Sequence, residues 1–166
     1  MNYSDPGTLI ACLGLGSNIG DSRKHLTEAI EKLQEIFGQV TVSPLYRTKP
    51  RDFEQQDDFF NCCVIGEWDD TLFSLLNHCL RIEQEMGRSR TIPKGPRTID
   101  IDLLWVNNLV LDSPSLVIPH PRLTERGFAL APMLDLVPDA QNPRNLQFYK
   151  ELLPELLSQG IYSESW

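Results

Sequence analysis

The run GPRTIDIDLLW, residues 95–105, alternates branched apolar side chains with two carboxylates, and a β-strand is the regular conformation that sorts the two kinds. Successive strand side chains point to opposite faces, so Ile99, Ile101 and Leu103 face one way while Asp100 and Asp102 face the other. At about 3.3 Å of rise per residue the two acids attach roughly 6–7 Å apart, close enough for both to reach one cluster of hard cations. Two buried, uncompensated charges are costly, so such a face requires water or positive charge. Arg88, Arg90, Lys94 and Arg97 stand just upstream. Two readings stay open on these residues alone: an acidic solvent face salt-bridged to nearby bases, or a site where cations and carboxylates converge.

A chain of 166 residues, 41% of them apolar, is expected to fold as a single domain over 1–166, with 1–7 and 159–166 loosely held at its ends. The formal net charge of -8 would repel a phosphate backbone, so no nucleic-acid partner is expected. Cys12, Cys62, Cys63 and Cys79 show no C-x-x-C spacing and read as buried reduced thiols rather than a zinc site. The start MNYSDPGTLIACLGLGS has neither a basic opening nor an apolar run long enough for export or insertion. A soluble cytoplasmic protein without a membrane partner is the expectation.

Thr8 to Leu15 is a short apolar run fit for a buried strand. Leu26, Ala29, Ile30, Leu33, Ile36 and Phe37 then recur at helical spacing, with Asp21 or Ser22 as N-cap and Gly38 as the stop. Val40 to Tyr46 reads as a second strand and Phe59 to Trp68 as a third. A second helix follows an Asp69/Asp70 cap, turns Leu72, Phe73, Leu75, Leu76, Cys79, Leu80 and Ile82 inward, and ends near Gly87. After the Asp strand, a turn at Asn107 and Asn108 leads to a short partner strand at 109–112. The order is β-α-β-β-α-β. It predicts an α+β fold, a ferredoxin-like βαββαβ sandwich with an added β-hairpin strand and a C-terminal helical extension, in which Leu152, Leu153, Leu156 and Leu157 dock a helix with Pro154 early in it.

That architecture hosts many functions, so function must come from side chains. Gly14, Gly16 and Gly20 in GLGSNIG lack both the dinucleotide and the P-loop spacing; they fit a tight strand-to-helix turn better than a phosphate cradle. The loop GRSRTIPKGPR delivers guanidinium groups, which match phosphate oxygens two at a time, directly to the Asp strand. A triphosphate with magnesium needs both, because magnesium takes one or two carboxylates and fills its octahedron with phosphate and water. Phe59 and Asn61 share a strand face, where a ring can stack on a flat heterocycle and a carboxamide can read its edge.

Taken together, LGLGSNIGD, YRTKP at 46–50, F-x-N at 59–61, R-x-R at 88–90, GPRTIDIDLL at 95–104 and IPHPRLTERGF at 118–128 resemble the 6-hydroxymethyl-7,8-dihydropterin pyrophosphokinase family over about residues 8–135. These folate-pathway enzymes move a pyrophosphoryl group from ATP to the hydroxymethyl of a pterin. The resemblance implies that Asp100 and Asp102 hold two magnesium ions bridging the ATP phosphates, and that Arg88, Arg90 and Arg97 grip phosphates, Arg90 from a mobile catalytic loop. It implies that Phe59 and Phe128 sandwich the pterin while the Asn61 amide and backbone groups near Thr48 and Arg51 read its edge. It places His120 and Arg126 at the nucleotide and Ile101 beside the adenine. This chain departs from the family in having Lys94 where a tryptophan often precedes GPRT, Lys49 and Arg51 where apolar residues are common, and Leu80 where some members have glutamine.

Three rivals share parts of this pattern. A non-catalytic ligand module explains Phe59 and Asn61 but does not require the Asp pair; another metal-dependent nucleotidyltransferase explains the acids but not a heterocycle-reading strand beside them. An RNA-binding module would want a basic sheet face, which the acidic composition opposes. A monomer acting on small molecules is the expectation.

Overall fold

The alternating and helical periods of the sequence sort into one antiparallel sheet with a layer on each face. The computed structural model describes residues 8–50, 55–88 and 95–166. Strand β1 (Leu9–Ser17) is followed by α1 (Ser22–Phe37), β2 (Val40–Val42), β3 (Leu45–Thr48), β4 (Phe59–Trp68), α2 (Leu72–Glu85) and β5 (Asp100–Val106). Then come β6 (Leu111–Asp112), β7 (Val117–Ile118), α3 (Gly127–Leu136), α4 (Leu153–Leu156) and β8 (Ile161–Glu164). The strands lie in the order β5-β1-β4-β3-β8, with β2 beside β3 along β4, and every pairing is antiparallel. The fold class is the expected split βαβ type.

Helix α1 begins where Asp21 Oδ1 accepts from the Lys24 N–H at 3.1 Å and stops where Gly38, at φ 77°, turns its N–H to the Gln34 carbonyl. Helix α2 starts one residue later than the Asp69/Asp70 cap predicts, and Phe73 and Leu80, expected to face inward, are exposed. Thr71 Oγ1 accepts from Ser74 N at 3.2 Å, while Asp70 Oδ1 accepts from Thr71 N instead. Leu26, Ala29 and Leu33 of α1 and Leu75, Cys79 and Ile82 of α2 press on Ala11, Leu13, Leu15, Val64, Ile101 and Leu103. The opposite face presents Cys12, Cys63, Ile65, Leu104 and Trp105 to Leu130, Met133 and Leu134 of α3, with Tyr149 and Leu156 closing the layer. All four cysteines are buried and free.

Four further expectations are corrected. The strand read as Val40 to Tyr46 is two strands, because Pro44 has no N–H to donate; Ser43 bridges the break, its N–H donating to Cys63 O and its Oγ accepting from Cys63 N, each at 2.9 Å. The segment at 109–112 does not pair with the Asp strand: Leu111 and Asp112 pair with Ile118 and Val117 in a separate two-stranded sheet. The C-terminal helix is a single turn, α4, between 3-10 turns at Tyr149–Glu151 and Leu157–Gln159, and it buries Leu156 while leaving Leu157 exposed. Residues 161–164 are not loose, since β8 pairs in register with β3 from Leu45 to Thr48. The tail 1–7 lies outside the described residues. No helix among those described is long and apolar enough to cross a membrane.

Leu75 is fully buried between α2 and the sheet. Leu75→Ala should cost about 2–5 kcal/mol of unfolding free energy in urea denaturation, with the slope on denaturant unchanged.

Candidate active site

The sheet face turned toward α3 is ordered in rows across the strands. Asp102 is opposite Gly14, which is opposite Cys63; Asp100 is opposite Gly16, which is opposite Asn61, and Asn61 is opposite Tyr46. Paired residues share a face, so acids and carboxamide stand on the same side of the sheet with a glycine between them. Helix α3 covers the Cys63 end of this face and begins only at Gly127. The uncovered end is a cleft of about 290 Å³ whose lining includes Gly14, Gly16, Thr48, Phe59, Asn61, Arg97, Asp100, Asp102, Arg122, Arg126 and Phe128.

The glycines act by clearance. A Cβ on Gly16 would lie 3.0 Å from Asn61 Oδ1, and one on Gly14 would lie 2.9 Å from Leu104 Cδ1. Both glycines sit inside β1, paired on each side with β4 and β5, so their amides belong to the sheet ladder rather than to a phosphate cradle. Gly20, at φ 61°, makes the turn into α1.

At the acid end, Asp100 is gripped by Arg88 at 2.6 Å through Oδ1 and by Arg97 at 2.5 Å through Oδ2, while Arg126 stands 3.7 Å from Asp102. Arg88 also pairs with Glu83. Glu83, only 4% exposed, accepts the Ile101 N–H at 2.7 Å and so satisfies the outer edge of β5 from helix α2. Burial raises the Glu83 carboxyl pKa, against the pull of that hydrogen bond and of Arg88. Burial first, and the neighbouring Asp100 charge second, push the Asp102 carboxyl up to about 6, with Arg126 opposing.

At the other end, Asn61 is buried and its Nδ2 donates to Thr48 Oγ1 at 3.0 Å, which fixes the carboxamide with Oδ1 above Gly16. The guanidinium of Arg97 lies 5.7 Å from the Phe59 ring centre, and that of Arg126 lies 5.7 Å from Phe128. Each ring in the cleft therefore carries an arginine from the acid end. Asn18, 4% exposed, joins the walls: its Oδ1 accepts from Arg97 N at 2.9 Å, and its Nδ2 donates to Gln56 Oε1 at 2.9 Å and Asp57 O at 3.1 Å.

The cleft thus brings together Thr48, Phe59, Asn61, Arg97, Asp100, Asp102, Arg126 and Phe128, with Arg88 reaching Asp100 from behind. It does not include two expected residues. The Ile101 side chain points into the helix-side core, because Ile101, like Leu103, alternates with the acids and faces away from them. His120 lines a neighbouring hollow of about 340 Å³ with Pro119, Arg144 and Tyr149, and its Nδ1 accepts from Arg122 N at 3.1 Å. Burial, then Arg126 and Arg122, bring its pKa down to about 4. Arg51, Arg90 and Lys94 lie outside the described residues. Sequence reasoning missed Arg122, Asn18 and Glu83. The signal for Glu83 was its place four residues after Cys79, an acid on the apolar stripe of α2.

The family model for 7,8-dihydro-6-hydroxymethylpterin-pyrophosphokinase matches residues 12–138. The folic acid synthesis protein fol1 of Schizosaccharomyces pombe is 43% identical over 161 residues, covering 96% of this chain and 22% of that protein. This chain therefore spans about a fifth of the length of the first curated relatives it matches, at 22%, 22% and 18%. The 2-amino-4-hydroxy-6-hydroxymethyldihydropteridine pyrophosphokinase of Aquifex aeolicus is 36% identical over 143 residues, covering 86% of this chain and 89% of its own. A crystal structure of wild-type Plasmodium falciparum HPPK-DHPS with pteroate superposes with a TM-score of 0.70 at 18% identity, over 92% of this chain and 45% of that one, a likeness of fold.

Two outcomes follow from the charges. A carboxyl whose folded pKa is raised opposes folding once it ionises, so Asp102→Asn should stabilise the ligand-free protein at pH 7.5. After discounting for solvent screening of this partly exposed side chain, the gain is about 1 kcal/mol, or roughly 2–4 °C in a thermal melt. The His120 ring stays neutral when folded, and its contribution to stability is lost as pH falls from about 6.5 toward its folded value. Its ring NMR signals should not shift between pH 8 and pH 5.5, whereas an exposed histidine's would.

Proposed function

The chain belongs to the 7,8-dihydro-6-hydroxymethylpterin-pyrophosphokinase family, and from that membership we propose that it transfers pyrophosphate from ATP to 6-hydroxymethyl-7,8-dihydropterin, giving AMP and the pterin diphosphate for folate synthesis. The observation that carries this reading is the placement of two carboxylates and a buried carboxamide on one sheet face, separated by a glycine and walled by arginines and two phenyl rings. In this reading residues 1–166 act as one catalytic unit on small molecules, as a monomer in the cytoplasm.

The pterin lies between Phe59 and Phe128, with Asn61 Oδ1 and backbone groups near Thr48 and Arg51 meeting its donor and acceptor edge. The Thr48 hydroxyl holds the amide so that its acceptor, not its donor, faces the ring over Gly16. The triphosphate runs along the Asp face. There Arg97 and Arg126 can move from the phenyl rings to phosphate oxygens, with Arg122 in the same lining and Arg88 at Asp100, while Arg90 is a further phosphate ligand only by the family resemblance. His120 and the backbone around Ile101 border the nucleotide in the family pattern.

The residues present fit hard divalent cations. Asp100 and Asp102 are oxygen donors on one face, and the raised Asp102 pKa marks a site that a cation would relieve. Two carboxylates leave most of an octahedral shell to phosphate and water, as magnesium prefers. Two magnesium ions held there would supply charge neutralisation on the phosphates. The pterin hydroxyl oxygen bonds to the β-phosphorus as the bond from that phosphorus to the oxygen bridging to the α-phosphate breaks, and AMP leaves with that oxygen. The hydroxyl proton goes to solvent. The arginines neutralise charge developing on the transferred group, and the two slots hold the reacting atoms in line.

The test is AMP release from ATP and magnesium with 6-hydroxymethyl-7,8-dihydropterin as acceptor. The expected result is one AMP per pterin diphosphate, with Asp100→Ala and Asp102→Ala each losing at least about 10²–10³ in turnover while far-UV circular dichroism is unchanged. AMP release that ignores the pterin, or full turnover in either variant, contradicts the proposal.

A further inference from the structure

Sequence reasoning leaves the last eight residues without a task, and the structure ties them to both walls of the cleft. On one side, Ile161 to Glu164 pair with β3, Ile161 opposite Thr48, and Thr48 is in turn opposite Phe59. Without β8, Thr48 would sit on the bare edge of the sheet. Glu164 adds a side-chain tie: Arg47 Nε donates to its Oε1 at 2.7 Å, and Arg47 Nη1 reaches Asp58 at 3.0 Å, the residue before Phe59.

On the other side, the same segment holds the start of α3. Arg126, at the N-cap, makes no side-chain capping bond. Gln159 supplies one from outside the helix: its Oε1 accepts the Gly127 N–H at 3.1 Å and its Nε2 donates to the Glu125 carbonyl at 3.1 Å. Gly160, at φ 76°, turns the chain so that Ile161 follows onto the same spot. The contact is so close that a Cβ on Gly127 would lie 2.3 Å from Ile161 Cδ1 and 2.8 Å from the Leu156 carbonyl oxygen. Gly127 directly precedes Phe128.

We propose that residues 159–164 form a strap that sets the spacing between the Thr48/Phe59 wall and the Phe128 wall, with Gln159 and Ile161 as positioning residues for the flat ring. This rests on the reading that the pterin lies between Phe59 and Phe128. Neither residue lines the cleft, so each acts through its neighbours: Ile161 through Thr48 and Gly127, Gln159 through the first turn of α3. A slot held by a ladder on one side and a tight van der Waals contact on the other responds to small changes in either, because packed interfaces do not deform smoothly.

The test is equilibrium binding of 6-hydroxymethylpterin, read by quenching of its fluorescence with magnesium and a non-hydrolysable ATP analogue present, alongside turnover and melting temperature. Gln159→Ala and Ile161→Ala should each weaken pterin binding about tenfold and raise its KM to match, with kcat within about twofold and the melt lowered by only a few degrees. Gly127→Ala, which forces the walls apart from the opposite side, should weaken the pterin as well. Ser163→Ala, an exposed position on the same strand, should bind as the parent does. Unchanged pterin affinity in both Gln159→Ala and Ile161→Ala overturns the strap, as does a parallel loss of kcat, both KM values and melting temperature, the mark of a merely structural role. Parent protein that binds pterin but releases no AMP sinks the pyrophosphokinase reading while leaving the strap to the affinities; parent protein that does not bind pterin sinks both.

Discussion

The cleft depends on a glycine standing between two functional rows. Strand β1 lies inside the sheet between β5 and β4, and at Gly16 it passes between Asp100 on one neighbour and Asn61 on the other. Any side chain there would fill the space above the sheet and meet the carboxamide oxygen at contact distance. The same strand cannot be loosened elsewhere, since Ala11, Leu13 and Leu15 on its reverse face anchor both helices. A rigid floor with a bare strip is the result, and the two ends of a long ligand can lie along it without a protein side chain between them.

Charge balance follows from that geometry. Two acids on one pleat, partly shielded from water, repel each other and need cations; Arg88, Arg97 and Arg126 supply them in the ligand-free protein. Two of these arginines also lie over the phenyl rings at the far end of the cleft. Phosphates arriving with divalent metal would compete for those guanidinium groups and uncover the rings, so the two halves of the cleft share one set of positive charges. Glu83 completes the arrangement from beneath by holding Arg88 and the exposed edge of β5 together.

Much of this was legible because it is written in local periods. The two-residue alternation of IDIDLL put Asp100 and Asp102 on one face and, by the same rule, Ile101 on the other. The Ile101 side chain obeys the pleat and faces the helix-side core, which leaves only its backbone to border a ligand. Asp21 and Gly38 bound α1 as their chemistry requires. What stayed hidden depends on partners distant in sequence. The segment IYSE has too few apolar residues to read as a strand, and it pairs because β3 offers an edge and Arg23 and Arg47 meet Glu164. His120 falls into a side hollow because the path from β7 to α3, not its own neighbours, sets where it points. Asn18 resembled a turn residue, and its three loop contacts exist only once β1, β4 and the Arg97 segment are assembled.

The central claim is that the Asp100/Asp102 face holds divalent metal while the Asn61 end of the same cleft holds a flat ring. A crystal grown with manganese, a non-hydrolysable ATP analogue and 6-hydroxymethylpterin tests it directly through the anomalous signal of the metal. The account predicts manganese peaks at about 2.0–2.3 Å from carboxylate oxygens of both aspartates, with the pterin between Phe59 and Phe128. Peaks away from both aspartates, with the carboxylates still paired to Arg88, Arg97 and Arg126, would contradict it.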